Sequence, residues 1–220
     1  MVFVIGLTGG IATGKSTCTQ LVVQYLQSQK ISVMSIDADK IGHLAYIKGS
    51  TAYDSIISTF GPSVVTEGGE NDGEINRKAL GGIVFSDPAE MKKLTDICWP
   101  VIRDHISETI KTASENVVVL EAAILLEACW SDLIDILLIP SVSVGVAKAR
   151  LMSRNALSEE EAMKRINGQM DNDSRMALAH EVMGTEKVFK IENEGNEEEF
   201  QGNANTVMMT IMEANGERMK

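Results

Sequence analysis

Cysteine and positive charge are both scarce in this 220-residue chain. The three cysteines, Cys18, Cys98 and Cys129, lie far apart, form no Cys-x-x-Cys pair and are odd in number. That usage argues against a disulfide framework and a thiolate metal cluster, and fits buried, inert thiols in a reducing compartment. Lys and Arg total 20 against 31 Asp and Glu, a net charge of −11. Non-specific nucleic-acid binding needs a basic face, and anionic membranes attract basic segments, so neither partner is expected. Long hydrophobic runs are missing too. Val117 to Cys129 is interrupted by Glu121 and Glu127 and cannot span a bilayer. The apolar start, Met1 to Leu7, lacks a basic leader and enters a glycine loop, so it reads as a strand rather than a signal peptide. A cytoplasmic protein is expected. A hydrophobic content of 44% excludes a disordered chain, and the length suits one compact domain over 1–220.

Hydrophobic patterning predicts alternating strands and helices. Strands are expected at Val2–Leu7, Ile31–Ile36, Val117–Leu120, Asp135–Ile139 (stopped by Pro140) and, more weakly, Lys187–Glu192. Helical spacing marks Lys15–Gln29, and Ser158 with Glu161 forms a capping-box pattern opening a helix over Ser158–Met170. Strands separated by helices imply parallel pairing and a sheet covered on both faces. About 80 residues separate the second and third strands, so a helical segment is inserted there. Within it Gly61–Gly82 reads as exposed loop, and Pro88–Lys111 as a long helix broken or kinked at Trp99-Pro100. Val207–Met212 could be the apolar side of a last helix in an acidic tail.

Residues 9–16, Gly-Gly-Ile-Ala-Thr-Gly-Lys-Ser, fit G-x-x-x-x-G-K-[ST] between a buried strand and an amphipathic helix. Gly9 and Gly14 permit a tight turn whose amides form an anion nest, reinforced by the helix dipole. Lys15 would reach the β- and γ-phosphates, and the Ser16 hydroxyl would coordinate Mg²⁺. This pattern predicts binding of a nucleoside triphosphate and leaves open what is done with it.

Two further features fit phosphoryl transfer. Asp37 and Asp39 follow the second strand, where ligands of parallel sheets collect. If the extended conformation continues, both lie on one side. One could accept a hydroxyl proton and the other position metal or substrate, while the plainer alternative is that Asp39 caps a helix starting near Lys40. Asp39-Lys40-Ile41-Gly42 also fits the D-x-x-G of GTPases, but no Asn-Lys-x-Asp accompanies it. Between Ile136 and Ser158 there is no acid, only Lys148, Arg150 and Arg154. The two arginines share a helix face and could neutralise a phosphoryl group, or belong to a solvated face paired with Glu159–Glu161.

Together these residues resemble the dephospho-coenzyme A kinase family over about residues 2–186. Leu7-Thr8-Gly9-Gly10-Ile11-Ala12-Thr13-Gly14-Lys15-Ser16-Thr17 is similar to its L-T-G-G-I-G-S-G-K-S, and Asp37-Ala38-Asp39 to its D-A-D. Phe60-Gly61 with Gly73-Glu74-Ile75-Asn76-Arg77 and Leu80 resembles F-G … G-x-I-x-R-x-x-L, and Pro100-Val101-Ile102-Arg103 resembles H-P-x-I-R. Leu125-Leu126-Glu127 is similar to L-x-E, Arg154 with Leu157-Ser158-Glu159-Glu160 to a lid motif, and Arg165 with Gln169 to R-x-x-x-Q.

The resemblance implies a phosphate-loop nucleotide-kinase-like α/β three-layer sandwich. It would have a five-stranded parallel sheet, an acceptor-binding helical subdomain at about 50–115 and a lid at about 145–165. It implies transfer of the ATP γ-phosphoryl to the 3′-hydroxyl of dephospho-coenzyme A. Asp39 would be the base, with Lys15 and Arg154 stabilising charge. Gly9 through Thr17 and Arg150 would bind ATP, Ser16 would bind Mg²⁺, and Thr8, Asp37, Arg77, Arg103 and Glu127 would contact the acceptor.

Departures from the family pattern are Trp99 for a His, Ala123 for a Pro and Asn155 for the lid Asp. His180 and Thr185 stand for an Asp and an Asn near the adenine-contact region, and Glu67–Asp72 looks like a loop insertion. Glu121 to Trp130 is more like the kinase half of animal-type bifunctional coenzyme A synthases, whose adenylyltransferase half and H-x-G-H are not expected here. Two alternatives remain at this level, a kinase for another small alcohol and a nucleotide-binding module without transfer. The oligomeric state is not legible.

Overall fold

The computed structural model describes residues 2–220, apart from the side chains of His43 and Leu44. Met1, counted above in the apolar start, lies outside the described residues. The chain divides into two compact units, one made of the segment up to Asp37 with Ile110–Lys220, the other of Ala38–Thr109.

The first unit is built on β1 (Phe3–Leu7), α1 (Lys15–Ser28) and β2 (Val33–Asp37). The second contains α2 (Ala38–Leu44), α3 (Thr51–Phe60), α4 (Arg77–Val84) and most of α5 (Pro88–Thr112). The chain then returns through β3 (Val117–Glu121), β4 (Ile136–Ser141), α6 (Val144–Asn155), α7 (Glu159–Asn167), α8 (Asn172–Met183), β5 (Val188–Glu192) and α9 (Glu197–Asn215).

All five strands join one parallel sheet in the order β2-β3-β1-β4-β5. The expected fold class is therefore the observed one. Continuous β-branched and aliphatic runs make strands that are buried on both faces. Phe3, Ile5, Leu7, Val117, Val119, Ile136 and Leu138 pack on α1 and α9 through Leu21, Val22, Leu26, Phe200, Met208 and Ile211. Val4, Val118, Leu120, Leu137 and Ile139, in the alternate register, are equally buried. Leu125 and Ile134 lie over Gly6, where any Cβ would come within 2.4 Å of Ile134.

Several boundaries differ from the sequence expectation, each for a physical reason. β4 runs through Pro140 to Ser141. Ser141 accepts from Asn193 N–H on the β5 side, so Pro140 points to the β1 side, where pairing has ended at Leu138 and no donor is required. α5 is helical throughout, although Pro100 removes the hydrogen bond to the Asp96 carbonyl. Both residues are exposed, so water can take that carbonyl. The expected loop at 61–82 holds a short 3₁₀ turn, a Val65–Ile75 bridge and the start of α4. There Asn76 caps Ala79 N–H. The acidic tail forms α9 from residue 197, with Glu197, Glu198 and Glu199 in its first turn, where the helix dipole favours negative charge. The capping box at Ser158 and Glu161 forms as expected.

Leu26 is fully buried between α1 and the sheet. Leu26→Ala should destabilise the protein by about 2–5 kcal/mol, measured as a fall in the urea midpoint at unchanged slope.

Candidate active site

Between β1 and β4 the connections diverge, β1 leading toward β2 and β4 toward β5. Such a switch point opens a crevice at the carboxyl edge of a parallel sheet. The loop of residues 9–14 occupies that edge, anchored by Thr8 N–H on the Leu138 carbonyl. Gly14 has φ 87° and an added Cβ would sit 2.5 Å from Asn193 Nδ2, so both backbone and space require glycine. Ala12 also adopts a left-handed conformation, with φ 60°.

The loop is tied from several sides. Lys15 Nζ donates to the Gly9 and Gly10 carbonyls at 3.0 and 3.2 Å, and Thr13 Oγ1 to Gly10 O at 2.9 Å. Asn193, at the end of β5, donates from Nδ2 to Thr13 O at 2.9 Å. Ile11 N–H donates to Gln169 Oε1 at 2.8 Å.

A carboxylate lies at the helix end of the loop. Glu121, at the end of β3 and 7% exposed, accepts from Ser16 Oγ and Thr19 Oγ1, both at 2.8 Å. Asp37 is its register partner on β2. Ser16 and Glu121 are hard oxygen donors of the kind that hold Mg²⁺. Among the described residues no group of three or more His, Cys, Asp or Glu forms a metal site, so an ion here would take its other ligands from phosphate and water. Sequence reasoning did not select Glu121. Its signal was a single carboxylate closing an otherwise aliphatic strand.

A cleft of about 670 Å³ adjoins the loop, lined by Gly14, Arg150, Arg154, Asn193, Gly195 and Phe200 among others. Arg150 Nη2 donates to Asn193 O at 2.9 Å and Oδ1 at 3.3 Å, and Arg154 Nε to Asn155 Oδ1 at 3.0 Å. Lys148 instead pairs with Glu159, whose hydrogen bond to that ammonium holds its carboxyl below the usual range. The two sequence alternatives thus divide by residue. Lys148 belongs to a solvated ion pair, while both arginines line the cleft. Thr185 lies in the 3₁₀ turn before β5 and His180 in α8, and neither lines the cleft. The asparagines there are Asn193 and Asn196, and sequence reasoning missed Asn193 although it directly follows the weak fifth strand.

The remaining predicted residues fall into both units. Thr8 is fully buried, its hydroxyl donating to Ala123 O at 3.2 Å. Glu127 lies 3.9 Å from the Arg175 guanidinium. Asp39 does not continue the strand or cap a helix at Lys40, because α2 already begins at Ala38 and holds Asp39 in its first turn. Arg77 opens α4 with its guanidinium 5.7 Å from the Tyr46 ring centroid, and Arg103 lies midway along α5. Asp39, Arg77 and Arg103 belong to the helical unit, and the loop, Asp37, Thr8, Glu127, Arg150 and Arg154 to the sheet unit.

A family model for dephospho-CoA kinase matches residues 3–190. The chain belongs to the dephospho-CoA kinase family. A dephospho-CoA kinase of Bacillus thuringiensis subsp. konkukian is 36% identical over 189 residues, covering 84% of this chain and 90% of its own. One from Latilactobacillus sakei subsp. sakei is 34% identical over 219 residues, covering 98% and 99%. The crystal structure of TT1252 from Thermus thermophilus matches with a TM-score of 0.75 at 26% identity, over 96% of this chain and 98% of that one. The alignment with the Latilactobacillus dephospho-CoA kinase covers nearly the whole chain, so it takes in α9 and the Asn193 turn as well as the loop. Among the described residues of this family member, no helix is long and apolar enough to cross a membrane.

The cysteines differ from the expectation of three buried thiols. Burial, with the Glu121 charge adding to it, pushes Cys18 up to about 12, and burial pushes Cys98 to about 11. Cys129 is exposed. Iodoacetamide at pH 8 should therefore label Cys129 in the native protein and reach Cys18 and Cys98 only after denaturation, read by peptide mass. Glu121→Ala leaves the buried Thr19 hydroxyl without its acceptor and should cost about 1–3 kcal/mol by chemical denaturation.

Proposed function

We propose that the chain transfers the γ-phosphoryl of ATP to the 3′-hydroxyl of dephospho-coenzyme A, giving coenzyme A and ADP in the cytoplasm. The observation that carries this reading is the glycine loop at the sheet edge, with Lys15 folded over it and Ser16 against Glu121, in a member of the dephospho-CoA kinase family. Backbone amides of the loop and Lys15 hold the β- and γ-phosphates. Ser16 and Glu121 hold Mg²⁺, which when bound offsets negative charge on the phosphates. The cleft between Arg150, Asn193 and Phe200 takes the adenine ring.

The chemistry asks little covalent work of the protein. Asp39 accepts the proton of the attacking hydroxyl, the oxygen–phosphorus bond forms in line, and ADP leaves. Lys15 and Arg154 neutralise charge on the group in flight. Arg77 and Arg103 contact the acceptor, and so do Asp37, Thr8 and Glu127.

A coupled ADP-release assay should show turnover that depends on dephospho-coenzyme A and yields the 3′-phosphate. No turnover of it beside good turnover of a nucleoside would overturn the acceptor. Nucleotide binding without transfer to any acceptor would overturn the enzyme reading. Asp39→Asn should lower kcat by about 10²-fold or more with ATP affinity nearly intact, and full activity would remove Asp39 as base.

A further inference from the structure

Arg175 is a charged side chain that the reaction above does not use, yet it is 2% exposed. It projects from the first turns of α8, whose N-cap is Asp171. Its ion-pair partner, Glu127, is a long 3.9 Å away. Nε and Nη1 of Arg175 and Oε2 of Glu127 are buried without any hydrogen-bond partner. Burying a guanidinium with unmade hydrogen bonds is costly, so its position calls for a compensating use.

That position is behind the phosphate loop. A Cβ added at Gly10 would lie 3.5 Å from Arg175 Nη1. Gly10 is the residue whose carbonyl receives both Lys15 and Thr13. The same segment reaches the loop through Gln169, on Ile11 N–H, and secures itself through Asn172 Nδ2 on Val142 O at 2.7 Å. A strut joining α8 to the turn at Glu127 would have its donors placed on carbonyls or in a bidentate carboxylate fork. Arg175 has neither arrangement.

We propose that Arg175 is a positioning residue of the phosphoryl-transfer site, a buried cation behind Gly10 whose field makes the loop prefer the more highly charged nucleoside triphosphate over the diphosphate. Burial disfavours its charged form while Glu127 and Asp171 oppose that effect. Arginine nevertheless stays protonated throughout the physiological range. Glu127 neutralises it incompletely, because its carboxylate is long-ranged and its side chain 30% exposed to screening water. In the low-dielectric interior the remaining field falls on the loop, and it acts most strongly on the ligand with the extra phosphoryl charge. The cost of burying this loosely paired guanidinium is thus recovered when the γ-phosphoryl arrives.

This inference rests on the proposed seating of ATP on the loop, and one experiment separates the two. Titration calorimetry with Mg²⁺ and either ATP or ADP, without acceptor, gives the affinity ratio of the two nucleotides. Arg175→Met removes the charge at similar volume, and Glu127→Gln combined with Arg175→Met keeps the site neutral should the single variant fail to fold. The ATP-to-ADP preference should fall by about tenfold in either variant, with Arg175→Lys restoring part of it. A preference within about twofold of wild type in the folded variants overturns the inference, whatever happens to the melting temperature. Absence of nucleotide binding by the wild type overturns the loop reading and this inference with it.

Discussion

The contact on which the site depends is that between Asn193 and the loop backbone at Thr13 and Gly14. The loop must turn with Gly14 left-handed, and the Asn193 amide fills the space a side chain would need. This closes the ring from β1 through the loop to the end of β5, elements 180 residues apart in sequence. Arg150 holds Asn193 in turn through its carbonyl and side-chain oxygen. Loop geometry, the Asn193 turn and Arg150 are therefore one mechanical unit. A change at any member displaces amides that have to converge on a phosphate.

Charge placement follows the same economy. The chain carries −11 overall, yet residues up to Ile36 contain no acid and residues 136–158 carry Lys148, Arg150 and Arg154 alone. Glu121, at the loop itself, is engaged by two hydroxyls. Much of the acidic excess lies past Ile191, where Glu197, Glu198 and Glu199 sit at the α9 N-terminus and meet the positive end of that helix dipole. The same helix places Phe200, Ala204, Met208 and Ile211 in the core. The tail is thus a structural element of the sheet unit whose polar face carries the charge.

Where pattern and local chemistry decide the outcome, the sequence was readable. Aliphatic runs became strands within a few residues, the capping box opened α7, and the phosphate motif formed its turn. Several failures come from a partner distant along the chain, and one from a local helix cap. Pro140 stays in β4 because β1 ends beside it. The glycine-rich stretch at 61–82 contains the start of α4, where a cap at Asn76 outweighs poor helix propensity. Cys129 is exposed, and Asn193 rather than Thr185 lines the cleft, through the way segments fold back on the sheet.

By itself the sequence determined the phosphate loop, the parallel α/β class and the family, because each is carried by adjacent residues or by short periodicities. Tertiary structure alone decided which carboxylate faces Ser16, which basic residues line the cleft and which pairs with Glu159, and that Arg175 lies buried behind Gly10. Those are relations between residues whose separations along the chain run from 11 for Lys148 and Glu159, through 105 for Ser16 and Glu121, to 165 for Gly10 and Arg175. Burial and electrostatics act through space, and only the folded chain sets those distances.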